Sequence, residues 1–173
     1  HLQDGVQFTL QADGEYVLLV EGRVHENEGA VSSFGFTLQT PVDPAPRAIA
    51  LDDRIAGHVD RAGQVHRLTL ELTAPALLYL DSLVDQPELS ITIKGPGGVN
   101  RTTRLGRTDS VEFTANPAIA APAGTYQITV SGVNGHTAAY EFAVRNLLAG
   151  ETVALGDTVR GTLDPARETD IYR

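Results

Sequence analysis

The chain has no cysteine, no methionine and no tryptophan, and Lys94 is its only lysine. Without cysteine there is no disulfide framework, no thiolate zinc site and no cysteine nucleophile. The lack of methionine, position 1 included, gives the expectation that these 173 residues are a piece excised from a longer polypeptide. No apolar run approaches the roughly 20 residues that a membrane helix requires, so membrane insertion is not expected. No basic start leads into an apolar core, so any targeting signal is expected outside the piece. Helical spacing of apolar residues is missing throughout.

Chemical motifs are also sparse. No serine sits in a Gly-x-Ser-x-Gly elbow, and no HExxH or close histidine pair offers a transition-metal site. Adjacent acids such as Asp52 and Asp53 read more simply as a turn than as a pair for glycoside cleavage. The chain is therefore expected not to be an enzyme. With 13 Lys+Arg against 22 Asp+Glu, its formal net charge is −9, which would repel a phosphate backbone, so no nucleic-acid partner is expected.

What is present points to β-structure. A 42% hydrophobic content is enough for a buried core, and 17 glycines with 9 prolines mark many turns between short strands. Apolar residues alternate in "YVLLV" (Tyr16, Leu18, Val20), "FGFTL" (Phe34, Phe36, Leu38), "HRLTLEL" (Leu68, Leu70, Leu72), "LSITI" (Leu89, Ile91, Ile93), "YQITV" (Tyr126, Ile128, Val130) and "YEFAV" (Tyr140, Phe142, Val144). Period two with one apolar face is the mark of a half-buried strand. Turns are expected at Asp13-Gly14, at "GPGG" (residues 95–98) and at "VNGH" (residues 133–136), where glycine or asparagine accepts positive φ.

Two phrases occur twice. "GEYVLLVEG" (residues 14–22) returns as "GTYQITVSG" (residues 124–132), an offset of 110 (124 − 14). "ALDDRIAGHVD" (residues 50–60) returns as "ALGDTVRGTLD" (residues 154–164), an offset of 104 (154 − 50). The offset falls because loops shorten while strands persist, as in copies of one fold. The period is about one hundred residues, the size of a β-sandwich module. Residues 1–40 therefore read as the C-terminal part of one repeat, 41–146 as a complete repeat, and 147–173 as the N-terminal part of the next. The expected fold is all-β, an antiparallel β-sandwich of jelly-roll or immunoglobulin-like repeat modules. The end pieces, too short to bury an apolar face alone, must pack on something or fray.

The run "DQPELSITIKGPGG", followed by "AGTYQITVSGVNGHTAAYEFAV", resembles the bacterial pre-peptidase C-terminal domain family. The likeness rests on Asp85, Glu88, Leu89 and Ile91, on Gly124-x-Tyr126 with Val130 and Gly132, and on Tyr140-x-Phe142-x-Val144. The openings at residues 57–60 and 161–164, the latter running into Asp170 and Tyr172, resemble the family's first strands. His66 and Arg67 depart from the Asp170 and Ile171 of the next copy. Such a resemblance implies an extracellular or cell-surface module of a large bacterial protein, or one that follows a secreted peptidase.

For binding, oxygen-rich turns make calcium the metal to consider, with Asp81, Asp85 and Glu88 close in sequence and Asp109 able to approach from another connection. The plainer reading of the same acids is a solvated loop. Nearly all aromatics fall on the inward phase of strands, Tyr79 being the least committed. Arg101, Arg104 and Arg107, beside Lys94, form either a solvated face or a docking patch for an acidic neighbour, and Asn100 lies in a glycosylation sequon. The expected role is structural or adhesive, with neighbouring modules as partners. A carbohydrate- or matrix-protein-binding accessory domain, with or without calcium, and a filament subunit assembled by strand complementation are the alternatives.

Overall fold

The computed structural model describes residues 10–21, 29, 31, 33–38, 40–108, 116–164 and 166–173. Alternating Val, Ile and Leu, which fit a pleated half-buried surface, place most of these between Arg47 and Asn146 in strands. In chain order they are β1 (Arg47–Ile49), β2 (Ile55–Val59), β3 (Val65–Leu72), β4 (Ala76–Ser82), β5 (Leu89–Lys94), β6 (Asn100–Arg104), β7 (Ile119–Ala121), β8 (Gly124–Gly132) and β9 (Ala138–Asn146). One sheet has the order β1-β3-β8-β5-β6 and the other β2-β9-β4-β7. Every pairing is antiparallel except β1 with β3, which run parallel. Among the described residues there is no α-helix.

The two sheets share one apolar core, so the strands between Arg47 and Asn146 form a β-sandwich. Leu68, Leu70, Tyr126, Ile128, Ile91 and Ile93 of the first sheet are buried with Ile55, Leu78, Phe142 and Val144 of the second. The alternation seen in the sequence thus fixes register, because a slip of one residue would turn each apolar set outward.

The turns follow from local chemistry. "GPGG" and "VNGH" close β5–β6 and connect β8 to β9 through one-turn 3-10 helices, with Asn134 at φ 53°. Asp52, at φ 64°, makes the turn before β2, and the Asp53 carboxylate accepts from the Ala50 N–H at 2.8 Å. Gly95 packs against the Tyr126 ring: an added Cβ would lie 2.2 Å from it. That ring's hydroxyl donates to the Pro122 carbonyl at 2.8 Å, tying the start of β8 to the residues before it.

The chain divides into two compact units between Thr40 and Pro41. In the unit Phe8–Thr40 the described residues form no strand, unlike the expectation for "YVLLV" and "FGFTL". Tyr16, Leu18, Phe34, Phe36 and Leu38 are exposed, and the rings of Phe34 and Phe36 stack at 6.4 Å. The reason lies in the copies these phrases match. In β8 and β9 the same phrases occupy sheet centres with a strand on either side, and a strand phrase without flanking strands has nowhere to place its backbone groups.

Candidate functional site

The acids singled out as calcium candidates go to separate places. Asp81 is in β4, wholly buried; Glu88 precedes β5 and pairs with His136 Nε2 at 3.3 Å on the surface. Asp85 faces Gly106, where an added Cβ would lie 2.6 Å from its Oδ1, and it shares a cleft of about 370 Å³ with Arg107 and Arg167. Two guanidinium groups make that cleft a poor setting for a divalent cation. Asp109 lies outside the described residues. Among the described residues no three His, Cys, Asp or Glu side chains are grouped to hold a metal ion.

The basic cluster ties loops together. Arg101 donates to the carbonyls of Asn116 and Ala118, and Arg104 to the Pro87 carbonyl at 2.8 Å. Ser82 and Ser90 donate to the carbonyls of Val84 and Thr103.

A constellation that motif reading did not find lies on the outer face of the four-stranded sheet. In β4, Leu78 and Leu80 point into the core, so Tyr79 and Asp81 point away from it. In β9, Phe142 and Val144 point inward, and Ala143 and Arg145 outward. Outward residues of an antiparallel sheet are ordinarily wet. Here Tyr79, Asp81 and Ala143 are buried.

A buried carboxylate requires partners on both oxygens. Asp81 Oδ2 accepts from Arg145 Nε at 2.9 Å, and Oδ1 accepts from the Thr169 hydroxyl at 2.9 Å. The Arg145 guanidinium also reaches Asp52 and Glu168, each at 3.6 Å. Burial opposes the charge on Arg145, but the bond to Asp81 and the negative charges of Asp81, Asp52 and Glu168 outweigh it and raise its pKa above the ordinary guanidinium value.

The residues after β9 are folded against the sandwich. A one-turn 3-10 helix, Leu147–Ala149, is capped by Asn146, whose side-chain oxygen accepts from the N–H groups of Leu148 and, in β4, Leu77. Glu151 bridges Tyr172 in parallel fashion, with the Arg173 N–H donating to the Glu151 carbonyl at 2.8 Å and the Val153 N–H to the Arg173 carbonyl at 2.9 Å. Asp157 accepts from the Ala154 N–H at 2.8 Å, and Glu168 from the Asp164 N–H at 3.3 Å. Gly156 at the turn has φ 100°.

The sequence held one signal for this cluster: an aspartate closing the apolar run "LLYLDS", an unusual place for an acid without a cationic neighbour. Its partner Arg145 is distant in sequence and invisible to spacing rules. No protein-family model and no curated protein matches the chain.

Proposed function

We propose that the chain is a non-catalytic structural or adhesive piece of a tandem β-sandwich array, of the bacterial pre-peptidase C-terminal type, in a large secreted or cell-surface protein. The observation that carries this reading is a parallel bridge made twice. Arg47 lies beside Leu68 and Glu151 beside Tyr172, both members displaced by 104 (151 − 47 and 172 − 68).

Other features support it at the same displacement. The bond from Ala50 N–H to Asp53 returns from Ala154 N–H to Asp157, and that from Asp60 N–H to Gln64 returns from Asp164 N–H to Glu168. Positive φ at Asp52 returns at Gly156. At the displacement of 110, the Tyr126 hydroxyl donates to Pro122 and the Tyr16 hydroxyl to Ala12, each four residues back. Backbone geometry of this kind recurs when the same local sequence solves the same turn.

In this reading modules serve as spacers, soluble through their acidic surface. A carbohydrate-binding role is disfavoured because the described aromatics of the 41–146 module, namely Tyr79, Tyr126, Tyr140 and Phe142, are all buried. No helix among the described residues is long and apolar enough to cross a membrane.

The test is the mass of the polypeptide in its native source, by immunoblot and intact mass spectrometry. The expected result is a chain many times the 18.4 kDa of this piece, cut by protease into rungs about one module apart. A native chain of this size alone would overturn the array and make assembly through strand complementation the function.

A further inference from the structure

The outer face of β4 and β9 has the burial of an interface and the chemistry of a surface. Tyr79, Asp81 and Ala143 point away from the core yet are as inaccessible as core residues. The partners at this face come from 168–169, and the stretch around them repeats, 104 residues on, the parallel bridge, the turn bond and the Asp60–Gln64 bond of the opening strands. We infer that this face is the docking surface for the next repeat of the array, and that Asp81 is its latch. The inference rests on the array reading above.

The latch has a defined geometry. Arg145, from the same module, satisfies one oxygen of Asp81, and among the described residues the Thr169 hydroxyl, on the incoming module, satisfies the other. A buried carboxylate left with a free oxygen is unfavourable, so a misplaced module is rejected. Arg145 then bridges the joint, with Asp52 of its own module on one side and Glu168 of the next on the other.

The latch belongs to this joint and is not a property of every copy. The positions matching Glu168 and Thr169 in the 41–146 module are Gln64 and Val65, 104 residues earlier. Val65 has no hydroxyl, and Gln64 donates from its amide to the Val42 carbonyl, in its own linker, at 3.0 Å.

Hydrogen–deuterium exchange on the whole 173-residue chain tests this. The bonded amides of Glu151, Val153 and Arg173 are expected to exchange at least tenfold more slowly than in free chain. Thr169→Val, which installs the residue type found at position 65, is expected to raise their exchange about tenfold and to leave β3 and β8 unchanged. Thr169→Ser, which keeps the hydroxyl, restores protection. Asp81→Asn repeats the Thr169→Val result from the other side of the joint.

Free-chain exchange of 151–173 in the unsubstituted protein would overturn the docking. So would unchanged protection in Thr169→Val, or faster exchange spread equally over β3 and β8. Because exchange is read on this chain and the array on the native parent, the two can fail separately. A parent without repeats removes the array and leaves the fastening. A laddering parent with an unprotected 151–173 removes the fastening alone.

Discussion

Residues 147–173 and residues 10–40 both carry phrases that match parts of residues 41–146, but their described residues are arranged differently. The later stretch forms a bridge, a turn and a cap and seats itself on the outer face of a sheet. In the earlier one the described residues form no strand, and their large apolar side chains are exposed. The sheet order explains the difference. The opening of a module contains β1 and β3, which pair directly with each other. The close of a module contains β8 and β9, neighbours in sequence that belong to different sheets and never pair. Residues matching the opening strands therefore carry a pairing partner within their own stretch, and residues matching the last two do not.

Paired substitutions can break this comparison. Phe142 in β9 is wholly buried, and Phe142→Ala is expected to destabilise the sandwich by about 3–5 kcal/mol. Phe36, its match in the earlier stretch, is 53% exposed, and Phe36→Ala is expected to stay within about 0.5 kcal/mol. Chemical denaturation followed by circular dichroism reads both. An equal loss in the two would mean that residues 33–38 have found flanking strands.

A smaller contrast is set by the two tyrosines. Tyr126→Phe leaves the Pro122 carbonyl without its donor inside a packed corner and is expected to lower stability by about 1 kcal/mol. Tyr16→Phe removes the same bond from an exposed turn, and no shift in the denaturation midpoint is expected. A matching shift in both would show that the corner, not the sheet around it, sets the value.

The smallest effect concerns pH. His66 Nδ1 lies 2.8 Å from the Tyr140 hydroxyl, and its buried Nε2 has no hydrogen-bond partner among the described residues. Burial lowers its pKa below the ordinary 6.5, with His58 adding to the fall and the charges of Asp60 and Asp43 opposing it. The unfolded chain therefore takes up the proton first as pH falls. Stability is full above about pH 6.5, declines below it and levels off once the folded histidine also protonates. Melting temperatures from pH 8 to pH 5 should show this slope, and His66→Gln should flatten it. An unchanged slope in that variant would assign the effect to other groups.

The sequence revealed the parts of the fold where one strand face is wet. β3, β5 and β8 were readable because buried and accessible residues alternate along them, and β9 because Tyr140, Phe142 and Val144 recur at every second position even though Ala143 is buried too. β4 was not, because its outer face is covered and nearly all of Ala76–Ser82 is buried, which erases the period. β6, with the sequence NRTTR, is a polar edge strand paired only with β5, and β7 has three residues, too few to show any pattern. Asp81 was visible as an acid but not as a buried one. Its environment is set by Arg145 and Thr169, which only the folded chain brings near.

The same sheet order bears on how the chain is made. A ribosome delivers β1 to β7 before β8 and β9, and at that stage the available pairs are β1 with β3, β5 with β6 and β4 with β7. β8 then joins β3 to β5, and β9 joins β2 to β4. Both sheets therefore lack their central pairings until the last two strands are available. In an array, an upstream copy's closing strands are already present while a downstream copy still lacks its own. In the array proposed above, differences between matching phrases, such as Gly124-Thr-Tyr against Gly14-Glu-Tyr, would favour each module's own closing strands over its neighbour's.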